Sequence, residues 1–332
     1  MEIQEILYKF AKENNIDDIG ISKAENFEHM RDIYSKSMEK LKGFIKDDIE
    51  KRIYPSLTVE NARSIIAIAK SYNKKFDFSQ KGEMPCFISA GAIGEDYHKE
   101  MTYILEKLAL ELKKEFDFQY EVFSDTGPLS DRDVAEVCGI GGYGQNGCIV
   151  TKTGGSAVFI GYMITTIDFQ KKAEKINPCT SCGKCISACP TGALSENGFN
   201  MEKCISYLTQ LKRPLTKEEM LSLNKSIYGC DRCQLVCPLN KESILFKGET
   251  KEYMPEIEFI LSLSKSEFKE IYGHTALFWR GGNVIKRNAI AAAASYGTKK
   301  AKELITPFLK SESPILKDAA EKAIDIIDEN KR

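Results

Sequence analysis

The stretch that decides the reading begins CTSCGKCISACP (179–190), passes a lone Cys204 and ends CDRCQLVCP (230–238). Its first run is Cys179-x2-Cys182-x2-Cys185-x3-Cys189-Pro190. That is the bacterial ferredoxin spacing, in which three thiolates hold one [4Fe–4S] cluster and the fourth crosses to a second. The second run, Cys230-x2-Cys233-x3-Cys237-Pro238, keeps the last three cysteines of such a motif and lacks its first, which Cys204 can supply. The resulting ligand sets are Cys179, Cys182, Cys185 and Cys237 for cluster one, and Cys189, Cys204, Cys230 and Cys233 for cluster two.

A cubane needs thiolates at tetrahedrally disposed corners, and two residues between ligands bring successive sulfurs to adjacent corners. Zinc would take four sulfurs as separate Cys-x2-Cys pairs and leave Cys189 and Cys237 unexplained. A disulfide framework would need an oxidising compartment. Eight of the 11 cysteines and both prolines fit the two-cluster template. Cys86, Cys138 and Cys148 are left over and read as small buried residues.

The surrounding chain is that of an ordinary globular protein, with 332 residues, 42% hydrophobic and 29% charged. Such a length supports two or three cores. The N-terminus, MEIQEILYKFAKENN, has no apolar h-region and no twin arginine, and no run of about eighteen apolar residues occurs. A cytoplasmic location without membrane contact is the expectation. Net charge is −1, which gives the chain as a whole no electrostatic footprint for nucleic acid. Between Arg280 and Lys310, however, seven basic residues (Arg280, Lys286, Arg287, Lys299, Lys300, Lys302, Lys310) face one acid, Glu303, a local net of +6.

Ahead of the cysteines, helical and strand patterns alternate. Residues 3–15 and 98–116 carry amphipathic helical spacing, a Lys- and Glu-rich helical stretch runs from about 28 to 52, and 131–139 is a short helix. Strand-like runs occupy 18–22, 64–72, 120–125 and 156–166. This predicts an α/β or α+β sheet domain over 1–170. Residues 171–242 hold the cluster cysteines and little else able to form a core. From about 255 the pattern is helical (255–273, 284–297, 299–310, 314–332), resembling HEAT-type helix pairs, with an ordinary helical cap as the alternative.

A second concentration of information is SDTGPLSDRDVAEVCGIGGYGQNGC (124–148). Its glycines at 139, 141, 142, 144 and 147 either let backbone approach a flat or anionic ligand or make tight turns. They do not form a dinucleotide fingerprint. Asp125, after a strand and before Thr-Gly-Pro, can be a partly buried carboxylate with a raised pKa that donates a proton, or the acceptor of an Asx turn. Asp96 in GEDYH (94–98) either caps the next helix or faces a site.

Taken together, DYH (96–98), DTGPLSDR (125–132), Gly-Ile-Gly (139–141), CTSCGKCISACPTGAL (179–194), KCISYLTQ (203–210), IYGCDRCQLVCPLN (227–240) and FWRGGNVIKRNA (278–289) closely resemble the epoxyqueuosine reductase family over nearly the whole chain. The resemblance implies a cobalamin-binding sheet domain related to the reductive dehalogenases (1–170), a two-cluster ferredoxin domain (171–242) and a helical HEAT-like domain that helps hold tRNA (243–332). It implies reduction of epoxyqueuosine to queuosine at the tRNA wobble position. Asp125 matches the family's proton donor, and Asp96, Arg52 and Ser206 fall where the corrinoid is contacted. Where the family usually has lysine, this chain has Gln145, and Cys138 stands where alanine is common.

Two low-potential clusters delivering electrons singly to cobalamin suit a two-electron, two-proton removal of an epoxide oxygen. A turned-out anticodon base needs backbone contacts nearby, and Arg280, Lys286 and Arg287 are the candidates. Expected partners are tRNA and a low-potential electron donor, with the enzyme a monomer. The rival readings are a corrinoid reductase of a small molecule and a two-cluster electron carrier.

Overall fold

The computed structural model describes residues 2–41, 43–44, 48–72, 82–240 and 254–329. The chain forms two compact units, Met1–Tyr72 with Tyr97–Cys182, and Asn73–Asp96 with Gly183–Arg332.

The first unit is built on a four-stranded sheet in the order Asp18–Lys23, Ser64–Ser71, Val158–Thr165, Tyr120–Phe123. Every neighbouring pair is antiparallel. The alternating helix and strand pattern thus belongs to an α+β domain, because no strand is joined to its neighbour by a parallel crossover. The SIIAIA run is buried throughout. Side chains alternate across a strand. Ile66 and Ile68 therefore enter one core, with Phe10, Met101, Leu105, Leu108 and Met163, while Ile65, Ala67 and Ala69 enter the other, with Val134, Ala135, Tyr162 and Ile164. Helices Ile3–Glu13 and Tyr97–Leu112 cover the first face and the short helix Asp131–Val137 the second. Fully burying each such Ile or Leu is worth about 1.5–3 kcal/mol, so the central strand is the best-anchored part of the unit.

The glycine-rich stretch, left open between ligand site and turn, folds as a hairpin of Gly141–Tyr143 against Ile149–Thr151. A Cβ on Gly142 would come within 2.3 Å of the Ile176 carbonyl oxygen. The close approach that glycine permits here is made to the chain's own backbone, in the segment leading to Cys179.

The second unit is arranged around helix Gly282–Tyr296. Its Ala289–Ala294 stretch is buried all round, and helices Lys217–Leu223, Ile257–Ser262 and Pro314–Glu329 pack on it together with strand Ser226–Tyr228. Small side chains allow this close approach, and Gly297 at φ 63° ends the helix in the left-handed conformation that glycine supplies. The expected helix over 255–273 is two, Ile257–Ser262 and Lys265–Tyr272, because Ser264 caps the second by accepting from the Glu267 amide.

The segment from Gly183 onward packs with the C-terminal helices as one unit, residues 171–182 go with the sheet, and the expected boundary at 242/243 lies outside the described residues. Among the described residues, no helix is long and apolar enough to cross a membrane.

Candidate active site and cluster-binding region

Asp125 sits in the loop between strand Tyr120–Phe123 and helix Asp131–Val137, with a positive φ of 58°. Non-glycine residues enter that region at a cost, so the surroundings must hold it there. The Asp125 amide donates to Asp131 Oδ2 at 2.6 Å. Two residues on, a Cβ at Gly127 would fall 2.2 Å from Tyr162 Oη, so only glycine passes. The same buried hydroxyl accepts from the Leu129 amide at 2.9 Å and donates to the Leu129 carbonyl at 3.2 Å. Ser124 Oγ is tied to the Ile160 carbonyl, and Ser130 caps the helix. The loop is pinned at both ends, and the Asp125 carboxylate faces outward.

The expectation of a partly buried Asp125 is corrected: its side chain is 61% exposed. The buried carboxylate is Asp131, six residues later. Burial, and then the charge of Asp125, push Asp131 up to about 7. Its Oδ1 is buried without a hydrogen-bond partner. The Asp125 carboxylate instead meets His98, whose Nε2 lies 3.4 Å from Oδ2. Phe159 stacks on Tyr97 at 4.2 Å between ring centroids and Tyr97 on His98 at 4.1 Å, which fixes the imidazole. His98 was legible only as part of DYH.

Arg52 lies in the short helix Ile49–Ile53, 8% exposed, its guanidinium 4.9 Å from the centroid of Tyr34. It lines a pocket of about 260 Å³ together with Lys51, Thr58, Phe123, Thr126 and Pro128. Two polar atoms on this wall, Arg52 Nε and Thr58 Oγ1, are buried without partners. Buried polar atoms are almost always paired, so the wall suits a ligand bearing polar groups. The volume is below the ~300–1,000 Å³ of whole small-molecule sites. Its size suits a small polar ligand or one polar arm of a larger group.

In the second unit, the cysteines between 185 and 237 lie on short turns. The Cys189 thiol is raised by burial, but the amides of Leu194, Thr191 and Ala193 and the Thr191 hydroxyl together hold it below its usual range. Cys204 is pushed up by burial and further by the charge of Cys189, while the amides of Tyr207 and Ser206 counter that. Burial pushes Cys230 up to about 11, and Cys204 adds to it. The charge of Cys189 acts on Cys204 and that of Cys204 on Cys230, and each of the three sulfurs meets backbone N–H groups. Among the described residues, no three cysteines, histidines or carboxylates are gathered closely enough to hold a metal ion. Cys233 belongs to the same unit, as do Cys185 and Cys237, whereas Cys179 and Cys182 close the first.

A residue missed from sequence braces this region. Asp231, between Cys230 and Cys233, is 1% exposed and accepts from Ser89 Oγ at 2.5 Å and the Ala90 amide at 2.6 Å. Its position inside CDRC was the only available signal. Ser206 lies in the helical turn Ile205–Leu208, its carbonyl accepting from Thr209 and Gln210. The Asp96 amide donates to the His274 carbonyl, and Asp96 and Ser206 both belong to the second unit.

The three expected phosphate contacts are corrected. Arg287 is 0% exposed and donates to the carbonyls of Leu211 at 2.5 Å, Arg213 at 2.6 Å and Leu208 at 3.2 Å. Lys286 is half-buried and donates to the carbonyls of Leu261 and Leu263, and Arg280 is 5% exposed. Arg287 and Lys286 hold loops together, and the Arg280 guanidinium lies over the Trp279 ring. The rest of the basic segment is largely neutralised locally, Lys300 by Glu83 and Glu258, Lys302 by Asp328 and Lys299 by Glu303.

Comparison with known proteins gives this arrangement a relationship. Residues 52–126 match the family model "Epoxyqueuosine reductase QueG, DUF1730" and residues 178–240 match "4Fe-4S double cluster binding domain". The chain is 38% identical over 336 residues to epoxyqueuosine reductase of Bacillus subtilis (strain 168), covering 97% of this chain and 87% of that one. It is 34% identical to that of Lactococcus garvieae (strain Lg2), covering 99% and 97%. Among solved structures it resembles epoxyqueuosine reductase with an epoxyqueuosine-modified tRNA-Tyr stem loop, with TM-score 0.90, 36% identity, and 98% of this chain and 90% of that one covered. It also resembles the Bacillus subtilis enzyme with its catalytic aspartate loop swung out of the active site, with TM-score 0.87, 36% identity, and 98% and 90% covered. With the Asp125 loop and the double-cluster segment both inside these matches, the chain belongs to the epoxyqueuosine reductase family.

Proposed function

We propose that this chain reduces epoxyqueuosine to queuosine at the wobble position of tRNA, with Asp125 as the proton donor and His98 as the group that shares its proton. The observation that carries the reading is the conjunction of a pinned, outward-facing Asp125–His98 pair with an eight-cysteine double-cluster segment in one chain of this family.

Taking out the epoxide oxygen as water and leaving an alkene consumes two electrons and two protons. When bound, two [4Fe–4S] clusters carry electrons singly and cobalamin gathers them at the substrate. The clusters would be held by Cys179, Cys182, Cys185 and Cys237, and by Cys189, Cys204, Cys230 and Cys233. Arg52 and Thr58 would hold a polar arm of the corrinoid in their pocket, and Asp96 and Ser206, in the second unit, are proposed as corrinoid residues in their own right.

The chain's own part is proton handling and placement. Asp125 gives a proton to the oxygen as the carbon–oxygen bond opens. One carboxyl holds one proton and the reaction needs two, and His98 lies within reach to pass on the next. Asp131 and Tyr162 keep the loop in place, which matters because a misplacement of about 1 Å can cost ~10²-fold in rate. In the Bacillus subtilis enzyme the corresponding loop swings out; here its hold is the Asp125–Asp131 hydrogen bond.

The partners are tRNA bearing epoxyqueuosine, held in part by the HEAT-like C-terminal helices, and a low-potential electron donor. The enzyme works as a cytoplasmic monomer. The test is anaerobic reconstitution with iron, sulfide and cobalamin, a strong reductant, and mass spectrometry of nucleosides from epoxyqueuosine-containing tRNA. Queuosine is expected. Its absence from protein loaded with iron and corrinoid, together with turnover of a small organohalide, would assign the chain to small-molecule reduction.

A further inference from the structure

Resting on the tRNA reading above, we infer that Trp279 is a stacking platform for an unpaired base of the anticodon loop.

Trp279 is the chain's single tryptophan and is 47% exposed. It lies in the short turn Ala276–Arg280, and three features fix its ring. The indole Nε1–H donates to Gln210 Oε1 at 3.3 Å. Gln210 is held in turn by donating from Nε2 to the Ser206 carbonyl at 3.1 Å. The Arg280 guanidinium lies 3.8 Å from the ring centroid, and Arg280 is itself 5% exposed. The cation therefore covers the inner face of the indole, and the exposed area belongs to the outer face and edge. The result is a large flat apolar surface, already oriented and facing water, one hydrogen bond from the KCISYLTQ segment that carries Cys204 and Ser206.

Such a surface answers a need created by the substrate. A wobble nucleoside that enters a reaction site must leave the anticodon stack, and its neighbours then lose a stacking partner. An aromatic side chain replaces that partner whatever the base, because every base has a π face, at about 1–3 kcal/mol per base. An already immobilised ring loses little further side-chain entropy on binding. Arg280, taken from sequence as a phosphate contact, acts from behind the ring.

The experiment uses cluster-loaded, corrinoid-free protein and a labelled RNA anticodon stem–loop, with affinity read by anisotropy and Trp279 read by its own emission. Wild type is expected to bind with quenching of the tryptophan. Trp279→Ala should weaken binding about 5- to 150-fold, and Trp279→Phe, which keeps a stacking face, should stay within about threefold. Iron content equal to wild type in each variant establishes that the fold is kept. Binding by wild type that leaves the emission unchanged, with Trp279→Ala binding equally well, would overturn the platform, leave the tRNA reading intact and point to a protein partner for this ring. A wild type that does not bind the stem–loop would overturn both.

Discussion

Replacing Arg287 with methionine tests the corrected role of the basic segment. The guanidinium is fully buried, and burial lowers its pKa to about 10, so it is charged at neutral pH. Two effects oppose each other when it is removed. The desolvation cost of the cation disappears, which favours the variant. The carbonyls of Leu211 and Arg213, which it holds at 2.5 and 2.6 Å, lose this donor, at about 1–3 kcal/mol each, and Leu208 and Asn288 lose a further partner. The Thr209 carbonyl keeps Asn288 Nδ2 at 2.7 Å. Several lost charge-assisted bonds outweigh one relieved desolvation, and the net is about 3–5 kcal/mol against the local structure. Since 1.4 kcal/mol is tenfold, amide exchange over residues 205–213 should quicken on the order of 10²- to 10³-fold. Cluster two should become labile, because Cys204 precedes this segment and the Gly229 amide, beside Cys230, donates to Thr209 Oγ1. Exchange and iron content unchanged from wild type, with tRNA affinity lost, would refute the clasp and restore Arg287 as a surface contact.

Asp131 gives a pH prediction. An acid whose pKa is higher folded than unfolded destabilises progressively as pH rises from its unfolded value, near 4, through its folded value, about 7. Asp131→Asn should therefore flatten the decline in stability across pH 4–7, as read by thermal unfolding, while its amide oxygen still accepts from Asp125; a slope equal to wild type would count against a charged, buried Asp131. Cys204→Ser should lower reconstituted iron from about eight to about four atoms per chain; retention of all eight would remove Cys204 from the ligand set. His98→Gln should lower single-turnover conversion about tenfold, less than the ~10²–10⁴ typical of a direct general acid; an unchanged rate and pH profile would show that Asp125 draws its protons elsewhere.

Local chemistry was legible in the sequence wherever a spacing or a periodicity expressed it. SIIAIAKSY read as a strand because both of its faces are buried, and the cysteine runs read as a double-cluster segment because cubane geometry dictates the intervals. What failed was anything set by tertiary environment. A buried arginine and an exposed one look alike in sequence, so Arg287 was taken for a phosphate contact. Which of two aspartates six residues apart is buried depends on how the 124–130 loop turns over Tyr162. Residue type could not show that Gly139 and Gly142 admit the 173–177 backbone. Asp231 and His98 owe their roles to neighbours more than twenty residues away in sequence.

The account's central claim is that Asp125 is the proton donor on a loop placed for that purpose. The most direct measurement is single-turnover conversion of epoxyqueuosine in tRNA by Asp125→Asn, matched to wild type in iron, corrinoid and stem–loop binding. Asparagine keeps the backbone hydrogen bond to Asp131 and removes the transferable proton, so conversion should fall by about 10²–10⁴-fold with substrate affinity preserved. Conversion within a few-fold of wild type would contradict the claim and move the proton source elsewhere.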